Sequence, residues 1–145
     1  METFVATEIK TAQSRDDIAL CYAILAELRP HLKEMDFVTT IQRLSESTGY
    51  KLVYLIDGDA KAAAGYRVSE WLHSGKYLEI EDFITNSTDR SKGYGRQLFD
   101  WLVAQAKVEG CCQVRLVSGV KRTDAHRFYA RQGMVHEAQY FSLNL

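Results

Sequence analysis

The stretch from residue 76 to residue 109 constrains the fold most, because three different patterns follow one another there without a break. Residues 77–85 are rich in aromatic and β-branched side chains, which favour a β-strand. Turn-forming residues occupy positions 86–89, and apolar side chains then recur every three or four residues from Leu98 onward. The sequence therefore predicts a strand, a short loop and a long helix in direct succession.

The loop between this strand and this helix suits a phosphate-bearing ligand. Arg90, Lys92 and Arg96 carry positive charge, and Gly93 and Gly95 would let a ligand approach the main chain. The first turn of a helix also offers backbone N–H groups at the positive end of the helix dipole. A tight turn with solvated basic residues explains the same pattern, so the residues alone leave both interpretations open.

Composition favours one globular domain that covers residues 1–145. The chain has 46% hydrophobic and 26% charged residues and a net charge of −1, so no basic field points to nucleic acid. No apolar run is long enough to cross a membrane, and the N-terminus lacks a signal peptide. Three cysteines without zinc-site spacing predict free thiols, a cytoplasmic location and no metal.

The remaining patterns predict a mixed sheet with helices on both faces. Asp57-Gly58-Asp59 indicates a β-hairpin, and Gly65 within the following strand indicates a bulge or a close backbone approach. Strands are expected at residues 4–9, 51–56, 61–71, 77–85, 113–117 and 139–143. Helices are expected from the Ser14 cap to Pro30, over 36–45, from Gly93 to Glu109 and over 125–131.

Two segments resemble one family of enzymes. The sequence contains neither a Walker A loop nor a complete G-x-G-x-x-G fingerprint, because Leu98 stands where the last glycine belongs. The pattern that remains, Arg-x-x-Gly-x-Gly at residues 90–95, resembles the acyl-coenzyme A pyrophosphate loop of the GNAT N-acetyltransferases. Residues 125–134 are similar to the family's Ala-x-x-Phe-Tyr-x-x-x-Gly-Phe segment, with Met134 in place of the usual aromatic residue.

The resemblance implies a fold and a cofactor. The fold would be α/β (α+β), a GNAT fold with a mixed, mostly antiparallel six- or seven-stranded sheet. The cofactor would be acetyl-CoA, with no metal. Its pyrophosphate is expected on Arg90, Ser91, Lys92, Gly93, Tyr94, Gly95 and Arg96, and its pantetheine on the main chain of Phe83, Ile84 and Thr85. A backbone N–H near Phe83 or Ile84 would bind the oxyanion.

The resemblance also suggests catalytic residues. Tyr129 would protonate the leaving thiolate, since a phenol carries its proton at neutral pH. Glu81 would accept the proton of the amine directly or through water, with Asp82 as the second choice. Strict strand alternation places Glu79, Glu81 and Phe83 on one face, although a bulge would change that. Packing of Tyr129 in the core and simple binding of the amine by the carboxylates stay open as alternatives.

The predicted function is transfer of an acetyl group from acetyl-CoA to a primary amine of a small molecule. A non-catalytic coenzyme A-binding sensor or interaction module is the alternative. Residues 118–129 are locally similar to the aminoalkylphosphonate N-acetyltransferases of the family, and a phosphonate would need a cation such as Arg67 or Lys76. The acceptor stays open, as does the oligomeric state, for which the apolar tail at residues 140–143 would permit a homodimer.

Overall fold

The computed structural model describes residues 7–90 and 92–145. Its strands are β1 (Glu8–Thr11), β2 (Lys51–Asp57), β3 (Asp59–Trp71), β4 (Gly75–Thr85) and β5 (Gln113–Leu116). Its helices are α1 (Arg15–Leu20), α2 (Tyr22–Leu28), α3 (Glu34–Thr48), α4 (Tyr94–Val108) and α5 (Thr123–Arg131), with a 3-10 turn at Ser87–Asp89. The chain divides into two compact units, Met1–Arg115 and Leu116–Leu145, which are described separately below.

The sheet contains five strands in the order β1-β2-β3-β4-β5 among the residues described. The strands β1 to β4 pair antiparallel. The N–H of Cys112 donates to the carbonyl of Lys76 over 2.7 Å, and Arg115 lies 3.3 Å from Glu79, so β5 runs parallel to β4. The sheet is therefore mixed and mostly antiparallel, as expected.

The expectation of six or seven strands is wrong for the described part of the chain. Residues 139–143 alternate like a strand, but positions 134–145 have no regular secondary structure. Tyr140, Phe141 and Leu143 are all largely exposed there. A strand needs a neighbour to pair its backbone groups, and alternation in one segment does not supply that neighbour. Of the first predicted strand, residues 4–6 lie outside the described residues.

Helices cover both faces of the antiparallel strands in the first unit. On one face, Leu52, Tyr54, Ala63 and Ile84 join a core with apolar side chains of α1, α2 and α3. On the other face, Phe83 packs edge-on against Phe99 of α4, with ring centroids 6.5 Å apart. Side chains on both faces of β2 and β3 are therefore buried, which explains why the sequences of these strands are nearly continuous apolar runs.

The helix expected from Ser14 to Pro30 is interrupted at Cys21. Its start is as expected, since the Ser14 hydroxyl accepts from the Asp17 N–H over 3.1 Å. Cys21 separates α1 from α2, and α2 ends one residue before its C-cap, Arg29. Proline cannot donate a backbone hydrogen bond, so the turn at Pro30 ends the helix and leaves Arg29 at its exit.

A β-bulge in β4 changes which side chains share a face. Gly65 pairs with Asp82, but the next residue of β3, Tyr66, pairs with Ile80, so Glu81 is the extra residue. Because partners in an antiparallel ladder lie on the same face, Asp82 lies on the side of Gly65 and Phe83 on the opposite side. The strict alternation of Glu79, Glu81 and Phe83 is therefore wrong. The bulge expected near Gly65 is confirmed.

Candidate active site

The start of α4 has the features of an anion site. Gly93 is the N-cap with φ of 83°, and no side chain caps the first turn of this 15-residue helix. The left-handed backbone explains why glycine stands there. Arg90, Lys92 and Arg96 are exposed, and Arg96 forms a long, exposed ion pair with Asp100 at 3.8 Å. Ser91 of the predicted cofactor loop lies outside the described residues.

Tyr94 connects the start of α4 to β2. Its side chain is buried, and its hydroxyl donates to the Asp57 carboxylate over 2.5 Å. This contact ties the first residue of α4 to the last residue of β2. The side chain of Tyr94 therefore joins the start of α4 to the sheet.

The segment predicted to hold pantetheine is the end of β4. Phe83, Ile84 and Thr85 pair with β3 on one side. Ile84 is buried in the core between the sheet and the helices α1, α2 and α3, whereas Phe83 and Thr85 are half-buried. Arg115 is the third of the four residues of β5 and lies beside Glu79 of β4. The strand β4 therefore continues past the residues that pair with β5. Since β5 ends one residue after Arg115, at Leu116, residues 83–85 lie beyond the parallel pair.

The carboxylates on β4 that were predicted as bases are each paired with an arginine from a different segment. Asp82 Oδ1 lies 3.0 Å from Arg29 Nε, at the end of α2. Glu81 lies 2.6 Å from Arg67 Nε and accepts from Arg67 Nη2 over 3.0 Å. An ionised carboxylate has about four lone-pair sites, so each oxygen can accept a further hydrogen bond beside its arginine.

Asp82 is also bound by a buried phenol. The hydroxyl of Tyr50 donates to Asp82 Oδ2 over 2.7 Å, and Tyr50 is only 3% exposed. Burial and the neighbouring Asp82 carboxylate raise the pKa of Tyr50 above its ordinary value. The phenol passes so close to β3 that a Cβ on Gly65 would lie 1.6 Å from its oxygen. The close backbone approach predicted at Gly65 is therefore confirmed.

The cations considered for an acidic acceptor group differ in their availability. Arg67 and Glu79 are register partners, so Arg67 lies on the carboxylate face of β3 and β4. Lys76 instead donates from Nζ to the carbonyl of Glu109 over 2.6 Å, at the end of α4. Arg67 thus remains a candidate contact for an acceptor, whereas Lys76 serves as a C-terminal cap.

Arg115 occupies an aromatic environment on the same face. Its guanidinium carbon lies 3.7 Å from the ring centre of Trp71 and 3.5 Å from that of Tyr77, and Glu79 is its ion-pair partner. Such stacking favours arginine over lysine, because the planar guanidinium can lie on both rings. Trp71 therefore packs on Arg115.

The second unit contains Tyr129. The residue lies in α5, is buried, and packs edge-on against Phe128 with ring centroids 5.7 Å apart. Its carbonyl accepts from the N–H of Met134. His126 Nε2 lies 2.8 Å from the carbonyl of Gly119, so this histidine contacts the loop before its own helix.

Arg29 and Tyr50 are the site residues that the sequence analysis missed. They lie 53 and 32 residues before Asp82 in the chain, and no local pattern connects them to it. Gly65 was the available signal, since a glycine inside an apolar strand indicates a neighbour that needs the space. Only the packing of α2, β2 and β3 identifies that neighbour as Tyr50.

Two classes of feature do not occur in the part of the chain that the structure describes. No group of three or more His, Cys, Asp or Glu side chains is arranged to hold a metal ion there. None of its helices combines the length and apolar character that a membrane crossing requires. Cys21, Cys111 and Cys112 are free thiols, and Cys21 is buried.

The chain belongs to the Acetyltransferase (GNAT) family, whose model matches residues 16–134. It is therefore, at the level of the family, an acyl-CoA-dependent N-acetyltransferase. The family expected from the loop at residues 90–95 and the segment at residues 125–134 is confirmed.

Individual relatives agree with this assignment. The chain is 36% identical over 138 residues to the uncharacterized N-acetyltransferase YhdJ of Bacillus subtilis, covering 92% of this chain and 95% of the relative. It is 27% identical over 132 residues to the aminoalkylphosphonate N-acetyltransferase of Salmonella typhimurium, covering 87% and 83%. The fold is similar to that of the aminoglycoside N-acetyltransferase AAC(6')-Iy in complex with CoA, with a TM-score of 0.87, 11% identity, and 100% and 98% coverage.

Proposed function

We propose that the protein transfers an acetyl group from acetyl-CoA to a primary amine of a small molecule. The observation that carries this proposal is the junction of β4 and α4, where a bulged strand leads into a glycine-capped helix start with exposed cations. Membership of the GNAT family supports the reaction type. The crystallised neighbour with CoA supports the choice of cofactor, because the two folds are alike over their whole length.

The cofactor is held by backbone and charge. Its pyrophosphate binds the amides at the start of α4, with Gly93 allowing close approach and Arg90, Lys92 and Arg96 adding positive charge. Its pantetheine lies along the main chain of residues 83–85. A backbone N–H of Phe83 or Ile84 donates to the oxyanion.

The transfer itself breaks one bond and forms one. The nitrogen of the neutral amine attacks the thioester carbon, the carbon–sulfur bond breaks, and the sulfur leaves as a thiolate that takes a proton from Tyr129. The amine proton passes to Glu81, directly or through water. Because Glu81 is paired with Arg67 on both oxygens, a water molecule between the amine and the carboxylate suits the geometry better than direct contact. Asp82 is the second choice as base, since its side chain is 19% exposed against 28% for Glu81, and the buried Tyr50 holds it in addition to an arginine.

The acceptor is a zwitterion, with an amine and an acidic group on one small molecule. Arg67 lies on the same face as the carboxylates, so one surface offers both signs of charge. The similarity to an aminoalkylphosphonate N-acetyltransferase supports this acceptor class. A second candidate function is a coenzyme A-binding module without catalysis. The observation that favours it is that both carboxylates are paired with arginines.

Calorimetric titration with acetyl-CoA tests the cofactor site. The double variant Gly93→Asp, Gly95→Asp places two negative charges at the pyrophosphate, and we expect a loss of affinity of about 100-fold or more. The control is Lys107→Glu, which changes the net charge by the same amount at the exposed, opposite end of α4. Equal affinities for the wild type and the double variant would contradict the proposed site.

Thiol release with a panel of amines tests the reaction. The panel contains an aminoalkylphosphonate, an amino carboxylate, a polyamine and a lysine peptide. We expect the zwitterions to give the highest kcat/KM, and Tyr129→Phe to lower kcat by about 10-fold to 1,000-fold. Saturable binding of acetyl-CoA without thiol release from any amine would favour the non-catalytic module.

A further inference from the structure

We infer that Arg29 and Tyr50 are positioning residues for acetyl transfer, which act through Asp82 to fix the β4 bulge. Together with Gly65 they form a cluster that we call the bulge lock. The inference rests on the proposed function, because the bulge directly precedes the amides that we assign to the oxyanion. In this arrangement Asp82 holds the strand, and Glu81 is the proposed base.

Arg29 holds both residues of the bulge at once. Its Nε donates to Asp82 Oδ1 over 3.0 Å, and its Nη2 donates to the carbonyl oxygen of Glu81 over 3.1 Å. A peptide unit is planar and trans, so fixing the Glu81 carbonyl also fixes the direction of the Asp82 N–H. One guanidinium therefore sets the orientation of the peptide that joins the candidate base to the oxyanion segment.

Tyr50 completes the lock from the other side. Its hydroxyl donates to Asp82 Oδ2, so Tyr50 and Arg29 together occupy the two carboxylate oxygens. Tyr50 is buried, and its raised pKa keeps the hydroxyl a donor at neutral pH. The absence of a side chain at Gly65 provides the space that the phenol occupies.

The arrangement joins three neighbouring segments at one residue of β4. Arg29 follows α2, Tyr50 precedes β2, and Gly65 lies in β3, yet all three converge on one residue of β4. An extra residue in a ladder is left without a register partner and can move more easily than its neighbours. Holding such a residue in one geometry matters for catalysis, since small misplacements of catalytic groups are costly in rate.

Backbone amide hydrogen exchange of the full chain tests the lock without any substrate. In Tyr50→Phe, we expect the amides of residues 82–84 to exchange about tenfold faster, the effect of one lost hydrogen bond on local opening. The matched control is Tyr54→Phe, the same change at an equally buried position in the same core cluster. Equal effects of the two variants on residues 82–84 would overturn the lock.

Steady-state kinetics with acetyl-CoA and an aminoalkylphosphonate test the catalytic consequence. We expect Tyr50→Phe to lower kcat about tenfold and leave KM for acetyl-CoA within about twofold, whereas Tyr54→Phe leaves both unchanged. Arg29→Lys should lose as much kcat as Arg29→Gln, because an ammonium cannot reproduce the two contacts of the guanidinium. Full activity of Arg29→Lys or of Tyr50→Phe would contradict the positioning role.

The two experiments separate the failure of this inference from the failure of the proposed function. A wild-type protein that turns over no amine would refute the proposed function, while the exchange data would still decide whether Tyr50 fixes the bulge. Turnover by the wild type with unchanged kcat in Tyr50→Phe would refute the positioning role alone.

Discussion

Gly65→Ala is the most informative single substitution in this protein. Most glycines in strands are replaced by alanine with a small gain in stability, because alanine restricts the unfolded chain. At Gly65 the new Cβ would lie 1.6 Å from the hydroxyl oxygen and 2.2 Å from the adjacent ring carbon of Tyr50. The phenol must therefore move, and it cannot do so while it remains bonded to Asp82.

The expected cost has two parts. Displacing the Tyr50 hydroxyl leaves Asp82 Oδ2 without this donor, which costs about 1–3 kcal/mol. Forcing the ring into a packed core adds about 1–3 kcal/mol. The free energy of unfolding should therefore fall by about 2–6 kcal/mol, and the melting temperature by roughly 5–20 °C for a chain of this size.

Urea denaturation of a double-mutant cycle measures this coupling. The cycle combines Gly65→Ala with Tyr50→Ala, which removes the ring that the new methyl group would meet. In the Tyr50→Ala background we expect Gly65→Ala to cost nothing or to stabilise slightly. Gly119→Ala is the control, because its Cβ would meet only Arg122 at an ordinary 3.9 Å.

Two results would refute this reasoning. One is a cost of Gly65→Ala no larger than that of Gly119→Ala in the wild-type background. The other is an equal cost of Gly65→Ala with and without the Tyr50 ring, since the clash would then lie elsewhere. Either result would remove the structural basis for the bulge lock.

Three further predictions follow from buried polar groups. The free energy of unfolding should fall steeply above pH about 10, by up to about 4 kcal/mol per pH unit. The reason is that three buried tyrosines keep their protons in the folded state when the unfolded chain loses them. Urea titrations at several pH values measure this slope. The tyrosines concerned, all with raised pKa, are Tyr50, Tyr54 and Tyr66. Burial raises the pKa of Cys21 to about 12, so a thiol reagent at neutral pH should label exposed Cys112 and leave Cys21 unmodified in intact-mass and peptide analysis. Tyr94→Phe should lower the free energy of unfolding by about 1–3 kcal/mol, because it leaves Asp57 without its phenol donor, and an unchanged urea midpoint would contradict this.

Much of the fold was predictable from local patterns. The apolar runs of β2 and β3, the turn at Asp57–Asp59, and the glycine start of α4 depend on residues close together in the chain, and the structure has each of them. The prediction of a final strand at residues 139–143 was wrong because it depended on a partner elsewhere in the chain. A strand is defined by its partner, and residues 139–143 have the alternation but no regular structure among the residues described.

The candidate site divides in the same way. The cationic loop before α4 was visible in the sequence, because glycine, cations and a helix start lie within a few residues of one another. The contacts of Glu81 and Asp82 were not visible in the sequence, since a single inserted residue in the ladder reverses the face on which the following side chains lie.

The sequence by itself determined the family, the order of most elements and the position of the cationic glycine loop before α4, because these depend on short-range patterns and on two local motifs. Only the tertiary structure decided what the β4 carboxylates contact. Arg29 follows α2, Tyr50 precedes β2 and Arg67 lies in β3, and their side chains meet the carboxylates because the sheet and helices pack together. Contacts between residues far apart in the chain are set by packing, so no local pattern in the sequence could predict them.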